Sequence, residues 1–119
     1  MLNLSLMRHA KSDLNNFFHN DIDRPVLLKG VEETEKICEF IKKRILFDEV
    51  LCSPSRKTKE TLNLIIKNSL DKPLVNYLDN LYYTSAIDIF DTVILDAAIK
   101  RVLVVSNQPF LSNSIDNFF

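Results

Sequence analysis

The residues best suited to chemistry directly follow the first apolar segment of the chain: Arg8, His9, Lys11 and Ser12. A neutral imidazole at the end of a strand can act as a nucleophile when its other ring nitrogen is held by a backbone carbonyl or a carboxylate. A guanidinium beside it can bind a phosphoryl group bidentately and stabilise the charge on its oxygens. We therefore interpret His9 as a nucleophile and Arg8 as its phosphate clamp, with Ser12 as a phosphate ligand and Lys11 as a cation that attracts the anion.

A second group of candidate anion ligands lies in the segment SPSRK. Ser53 and Pro54 are typical of a helix start, with Ser53 as the N-cap and Pro54 as the first helical residue. The N-terminus of such a helix carries a partial positive charge that favours an anion. Lys57 would lie near this terminus. The alternative is that Lys57 belongs to a solvated face of the helix.

Hydrophobic patterning predicts four strands that alternate with four helices. The predicted strands are Leu2–Arg8, Phe47–Cys52, Pro73–Leu78 and Val102–Ser106. The predicted helices run from Gly30 to about Ile45, from Ser55 to Ser69 and from Ser85 to Lys100, and a last one begins near Pro109. The polar stretch from Lys11 to Arg24 is expected to form a loop that Pro25 closes.

This order of elements predicts an α/β fold with a mostly parallel sheet and right-handed crossovers. Val102–Ser106 is almost wholly apolar, as expected of a central strand covered on both faces. Parallel sheets bind ligands at the carboxyl ends of their strands. Three strand ends carry polar residues that should meet at one edge of the sheet: Arg8–His9, Cys52–Pro54 and Ser106–Gln108.

Composition limits the classes of function that remain. The 119 residues suffice for one domain, residues 1–119, and the net charge of −1 gives no support for a nucleic-acid or membrane-surface partner. Cys38 and Cys52 lie in apolar runs without metal-ligand spacing, so we expect two reduced core thiols. No stretch is typical of a membrane span or a signal peptide, which favours the cytoplasm. The single glycine excludes Gly-rich phosphate loops, so side chains must supply much of the binding of any phosphate.

Four stretches together resemble one known family. LMRHAKSD resembles the Arg-His-Gly/Ala signature of the histidine phosphatase superfamily, and its RHAKS resembles the SixA-type phosphohistidine phosphatase branch. DIDRPVLLKG, LCSPSRKTKETL and VLVVSNQPFLSN resemble further segments of that branch, in the same order and at similar spacing. LDNLYYTSAIDIF is also similar to a family segment before a helix.

The resemblance implies a phosphoglycerate-mutase-like three-layer α/β sandwich and a hydrolysis in two steps without metal or other cofactor. His9 would become phosphorylated and water would then release phosphate, while Arg8 holds the transferred group. The substrate implied is a phosphohistidine on a partner protein, or a small phosphorylated molecule. The resemblance supplies no strong general acid, and Asp79 is the one weak candidate.

Two positions depart from the family pattern. The second phosphate-binding arginine of the family falls on Lys57, which keeps the charge but loses the planar fork. Arg56 is its neighbour, but one residue along a helix is a rotation of about 100°. The second histidine of the family falls on Asn107, which can donate a hydrogen bond but cannot carry the proton.

Other candidates and an alternative function remain open at this stage. Gln108 and Arg24 are further candidates at the phosphate edge, although Arg24 is also placed to pair with Asp21 or Asp23. The chain stops at Phe119, earlier than the family segment usually does, so we expect edge structure to be missing. The departures at Lys57 and Asn107 are compatible with a slow phosphatase. The alternative is a weak or inactive module that binds phosphate or a phosphoprotein. The sequence does not predict an oligomeric state.

Overall fold

The computed structural model describes residues 2–13, 20–42, 46–69, 72–83 and 100–106. The strands in these ranges are β1 (Leu2–Arg8), β2 (Glu49–Cys52), β3 (Leu74–Tyr77) and β4 (Lys100–Ser106). The helices are α1 (Leu28–Ile41), α2 (Arg56–Lys67) and the short α3 (Asn80–Tyr83), and a 3-10 turn spans Asp21–Asp23.

The four strands form one parallel sheet in the order β1-β4-β2-β3. Strand β4 pairs with β1 so that Ser106 lies opposite Arg8, and with β2 so that Val105 lies opposite Cys52. The carboxyl ends of these three strands therefore reach the same edge of the sheet. The predicted α/β fold with a parallel central sheet is confirmed.

The core lies where β2 and β4 meet α2. All four residues of the run Val102–Val105 are at most 2% exposed, which confirms β4 as a buried central strand. Leu62 and Ile65 of α2 are buried against this sheet, and Ile66 packs against the same cluster while only partly buried. Cys38 and Cys52 are free and buried, as predicted.

Several predicted boundaries were wrong by a few residues. Helix α1 begins at Leu28 instead of Gly30. Lys100 belongs to β4 and not to a third long helix, because it pairs with Leu2 in the sheet. The rest of that predicted helix, 85–99, and the last one from Pro109 lie outside the described residues.

The single glycine positions α1 against the segment that follows β1. A Cβ atom at Gly30 would lie 2.5 Å from the backbone oxygen of Lys11 and 2.9 Å from its backbone nitrogen. Leu27 N–H donates to the same Lys11 oxygen at 2.8 Å. Glycine is therefore required here for close approach of two backbones. Among the described helices, none is long and apolar enough to cross a membrane.

Candidate functional site

The His9 segment is fastened to both the sheet and a helix. His9 N–H continues the sheet by donating to the Ser106 carbonyl of β4 at 3.0 Å. Ala10 N–H donates to Thr61 Oγ1 at 2.8 Å, and that hydroxyl donates to the Lys57 carbonyl at 2.7 Å. These bonds hold the first residues after β1 against α2, so His9 has a fixed backbone position.

The His9 imidazole is oriented by its own loop. Nδ1 lies 2.7 Å from the Ala10 carbonyl oxygen. A carbonyl only accepts, so Nδ1 carries the proton and donates. In the neutral ring, Nε2 is then left with its lone pair, as a nucleophile requires.

The electrostatic surroundings favour that neutral form. Burial lowers the pKa of His9 first, and the positive charges of Lys57, Arg8 and Arg24 lower it further. The bond to the Ala10 carbonyl acts in the opposite direction but does not reverse the shift. The imidazole is therefore largely unprotonated near neutral pH.

An open pocket of about 370 Å³ lies at this strand end, and Arg8, His9, Lys11 and Ser12 are the described residues that line it. Arg8 and Lys11 are exposed, and neither side chain makes a hydrogen bond or ion pair with a described residue. Their charges are therefore available to an anion. A larger surface pocket of about 490 Å³ is lined by Glu32, Glu35, Lys36, Glu39 and Asn68, and its net negative charge is unsuited to phosphate.

Ser12 links the pocket to the loop behind it. It is 7% exposed and forms an isolated antiparallel bridge with Val26. Its Oγ accepts a hydrogen bond from Arg24 Nη1 at 2.9 Å, and the same nitrogen donates to the Asp13 carbonyl at 3.1 Å. Arg24 Nε donates to Asp21 Oδ1 at 2.7 Å. Arg24 thus anchors the loop by pairing with Asp21, one of the two partners predicted from the sequence.

Lys57 is not part of a solvated helix face, since its side chain is 2% exposed. Its ammonium donates to Asp21 Oδ2 at 2.8 Å, and the Tyr82 hydroxyl donates to the same oxygen at 2.6 Å. Burial opposes ionisation of Asp21, but the hydrogen bonds from Lys57, Tyr82 and Arg24 outweigh it and hold the pKa of Asp21 well below its usual range. We call Asp21, Arg24, Lys57 and Tyr82 the Asp21 cluster.

The N-cap of α2 differs from the prediction by two residues. Ser55, not Ser53, is the N-cap, and its Oγ accepts from Thr58 N–H at 3.4 Å. Thr58 Oγ1 lies 2.7 Å from the Ser53 carbonyl, which fixes the turn around Pro54. Ser53 Oγ is buried and is the one such side-chain polar atom without a partner in the described structure.

The remaining predicted site residues lie away from the pocket or outside the described ranges. Arg56 is exposed and its Nε donates to Glu60 at 3.1 Å, on a different side of α2 from buried Lys57. Asp79 is exposed before α3 and does not line the pocket. Asn107 and Gln108 follow β4 directly but lie outside the described residues.

Sequence reasoning missed three residues that position the site. The Tyr82 hydroxyl donates a hydrogen bond to Asp21, and the Thr61 hydroxyl accepts one from Ala10 N–H. Gly30 allows the backbone of α1 to approach that of Lys11. A single glycine in 119 residues indicates a special backbone requirement at its position. The LDNLYY segment resembles the family, but the resemblance assigned no role to its tyrosines. Thr61 is the threonine eight residues after Ser53 in LCSPSRKTKETL, a segment that resembles the family, but the resemblance gave it no structural role.

Solved structures with the same fold include three SixA proteins. A protein assigned as the phosphohistidine phosphatase SixA of Agrobacterium tumefaciens has a TM-score of 0.85 at 20% identity, covering 96% of this chain and 74% of that chain. One assigned as SixA of Nakamurella multipartitia has a TM-score of 0.78 at 27% identity, covering 93% of this chain and 62% of that chain. The protein histidine phosphatase SixA complexed with tungstate has a TM-score of 0.79 at 19% identity, covering 94% of this chain and 73% of that chain. The phosphoglycerate-mutase-like fold class is thereby confirmed.

Comparison at the level of sequence agrees with the fold. No curated protein sequence matches the chain. The sequence profile described as the histidine phosphatase superfamily (branch 1) matches residues 4–81, well over half of the chain. The matched range contains the pocket residues Arg8 to Ser12, the start of α2 and the whole Asp21 cluster apart from Tyr82. The chain belongs to the histidine phosphatase superfamily, branch 1.

Proposed function

We propose that the protein is a phosphatase that hydrolyses a phosphohistidine, or another phosphomonoester, through a phosphorylated His9. The observation that carries the proposal is the His9 ring itself. Its Nδ1 is held by the Ala10 carbonyl at 2.7 Å, and the residue lines a pocket with the cations of Arg8 and Lys11. Phosphoryl transfer needs mainly a positioned nucleophile and stabilisation of charge, and this pocket offers both.

The first step transfers the phosphoryl group to the protein. The Nε2 lone pair attacks phosphorus, and the bond from phosphorus to the leaving nitrogen or oxygen breaks. Arg8 takes the equatorial oxygens, with Lys11 as a second cation and Ser12 as a ligand at the pocket wall. The proposal includes Lys57 and Asn107 as phosphate ligands, with Arg56, Arg24 and Gln108 as lesser candidates.

The second step returns His9 to its starting state. Water attacks the phosphorus atom of phosphorylated His9, the P–Nε2 bond breaks, and inorganic phosphate leaves with the oxygen and the protons of that water. Nε2 regains its lone pair, and Nδ1 keeps its proton. None of the described residues that line the pocket is a strong acid. A phosphohistidine substrate fits this lining, since an imidazole that is already protonated leaves without one. Asp79 remains the candidate acid for an ester substrate. Arginine and lysine provide the positive charge, so the proposed reaction is independent of metal and of other cofactors.

The exposure of the two pocket cations supports the proposed substrate class. Exposed Arg8 and Lys11 leave room for a phosphohistidine presented by a histidine-containing partner protein, and a small phosphorylated molecule can also enter. The names of the SixA neighbours support the protein substrate. We place this activity in the cytoplasm and in a single domain, residues 1–119.

The test is to incubate the protein with phosphoramidate and to measure both released phosphate and acid-labile phosphate on the chain. We expect label on His9 and its loss in His9→Ala. His19→Ala removes the only other histidine of the sequence and serves as the matched control. Turnover that is unchanged in His9→Ala would exclude this mechanism.

A phosphate-binding module with little or no turnover is the second candidate. The observation in its favour is that the ammonium of Lys57 is already engaged by Asp21 and does not line the pocket. In that case inorganic phosphate or vanadate would bind, while neither phosphate release nor label on His9 would be detected.

A further inference from the structure

Lys57, which stands at the family's second phosphate-binding position, is paired with a carboxylate of this chain. The Lys57 side chain is 2% exposed, and Asp21 is its hydrogen-bond partner among the described residues. A buried ammonium requires a counter-ion, because an unpaired charge inside a protein is costly. Whatever replaces Asp21 on Lys57 must therefore also be an anion.

The two partners differ in their freedom to move. Lys57 is fixed by its place in the first turn of α2 and by the burial of its aliphatic stem. Asp21 lies in a three-residue 3-10 turn, and its side chain is 47% exposed. The carboxylate is therefore the partner that can leave while the ammonium stays.

A continuous chain of hydrogen bonds joins this pair to the pocket. Ser12, which lines the pocket, accepts from Arg24 at 2.9 Å, and Arg24 donates to Asp21 at 2.7 Å. Asp21 in turn accepts from Lys57 at 2.8 Å. A phosphoryl group beside Ser12 would lie at one end of this chain and could offer the same acceptor oxygens as Asp21.

We propose that Asp21 is an internal competitor of the phosphoryl group, which binds fully only when it replaces the Asp21 carboxylate on Lys57 and Arg24. Asp21 thereby sets the affinity of the site for phosphate. In the free protein it keeps the buried ammonium paired, and on release it turns to solvent, where a carboxylate is well hydrated. This inference rests on the proposed site but requires no turnover.

The test measures the binding of inorganic phosphate by calorimetry at one pH and low ionic strength. Asp21→Asn should bind phosphate about ten-fold more tightly than the unmodified protein, because the competing charge-assisted bonds are lost. Asp23→Asn removes the same charge from the same turn, and Asp23 makes no ion pair with a described residue. Its effect on affinity should stay within about two-fold, as for a screened surface charge.

Two further variants link the effect to the named contacts. Tyr82→Phe removes one donor to Asp21 and leaves both cations, so phosphate should bind a few-fold more tightly. In a Lys57→Met background, Asp21→Asn should lose most of its effect. Unfolding curves for every variant identify any loss of fold, and the mild Tyr82→Phe exchange keeps the test informative if Asp21→Asn unfolds.

The opposite result has a definite meaning. An ammonium has three donors, so Asp21 could instead stay in place and aim Lys57 at phosphate. Weaker phosphate binding in Asp21→Asn, or an effect no larger than that of Asp23→Asn, would overturn the proposed exchange. Failure to label His9 would overturn the phosphatase while leaving the exchange intact, and absence of phosphate binding in both forms would overturn both.

Discussion

The pocket and the Asp21 cluster each contain an arginine and a lysine, but only those of the cluster are paired with a carboxylate of a described residue. In the pocket, Arg8 and Lys11 are exposed, and their side chains form no hydrogen bond or ion pair with a described residue. In the cluster, Lys57 and Arg24 share one carboxylate that also accepts from Tyr82. The first arrangement leaves charge available for a ligand, and the second uses charge to hold the loop against α2. The cations available to a ligand are thus separate from the cations that also hold the loop in place.

The largest predicted effect comes from removing a pocket cation. Arg8→Ala should lower kcat/KM on phosphoramidate by about 10²–10³-fold, the usual result of losing one preorganised donor. The free energy of unfolding should barely change, because Arg8 has no described partner to lose. Kinetics and urea unfolding on the same preparation measure both effects.

Arg101→Ala is the matched control for that charge. Arg101 is an exposed arginine near the amino end of β4, where its Nη2 pairs with Asp48 at 2.8 Å. Its removal should leave kcat/KM nearly unchanged. If both variants lost activity equally, net charge and not the pocket would govern the rate, and the contrast between the two regions would fail.

Gly30→Ala should lower both the stability of the fold and the activity of the pocket. The new methyl group would meet the Lys11 backbone at 2.5 and 2.9 Å, so α1 or the pocket segment must shift. We expect a loss of about 1–3 kcal/mol in the free energy of unfolding, as for other overpacked positions. A lower kcat/KM should accompany it, because Lys11 lines the pocket.

Lys29→Ala is the comparison for the glycine variant, since Lys29 is exposed in the same turn of α1. It should leave stability within a few tenths of a kcal/mol. Equal stability of Gly30→Ala and Lys29→Ala in urea unfolding would show that the close approach is not required.

Thr61→Val should have a smaller effect, confined to the support beneath His9. It leaves Ala10 N–H without its acceptor, at a cost of about 1 kcal/mol in the free energy of unfolding. Thr61→Ser keeps the hydroxyl and should retain most of that stability. A Thr61→Val protein as stable as the unmodified one would show that this hydrogen bond contributes nothing.

The sequence predicted the pocket residues better than the Asp21 cluster, because the pocket depends on local patterning and the cluster on contacts between distant parts of the chain. Arg8 and His9 follow an alternating strand, and β4 is a continuous apolar run, so local patterning was enough to place both. The burial of Lys57 depends on Asp21, which is 36 residues away in the chain. Helical periodicity gives no information on such a partner, and a lysine in a polar helical turn is ordinarily solvated.

The start of α2 shows the same limit over a shorter distance. Ser53 and Ser55 flank Pro54, and both are good N-cap residues. The choice of Ser55 depends on Thr58, whose hydroxyl lies 2.7 Å from the Ser53 carbonyl and 2.9 Å from the Ser55 carbonyl. Local propensity allowed either serine, and contacts within the folded turn decided between them.

The smallest predicted effect is electrostatic coupling between the two regions. Burial and the nearby cations lower the pKa of His9 from its ordinary value of 6.5, so the acid limb of kcat/KM should fall below pH 6.5. Lys57→Met removes one positive charge, which makes protonation of His9 easier and should raise that pKa. The pKa should nevertheless stay below 6.5, because burial is the largest cause of the shift. NMR titration in the His19→Ala background leaves one histidine to follow. A pKa that is the same with and without Lys57 would mean that the two regions are electrostatically independent.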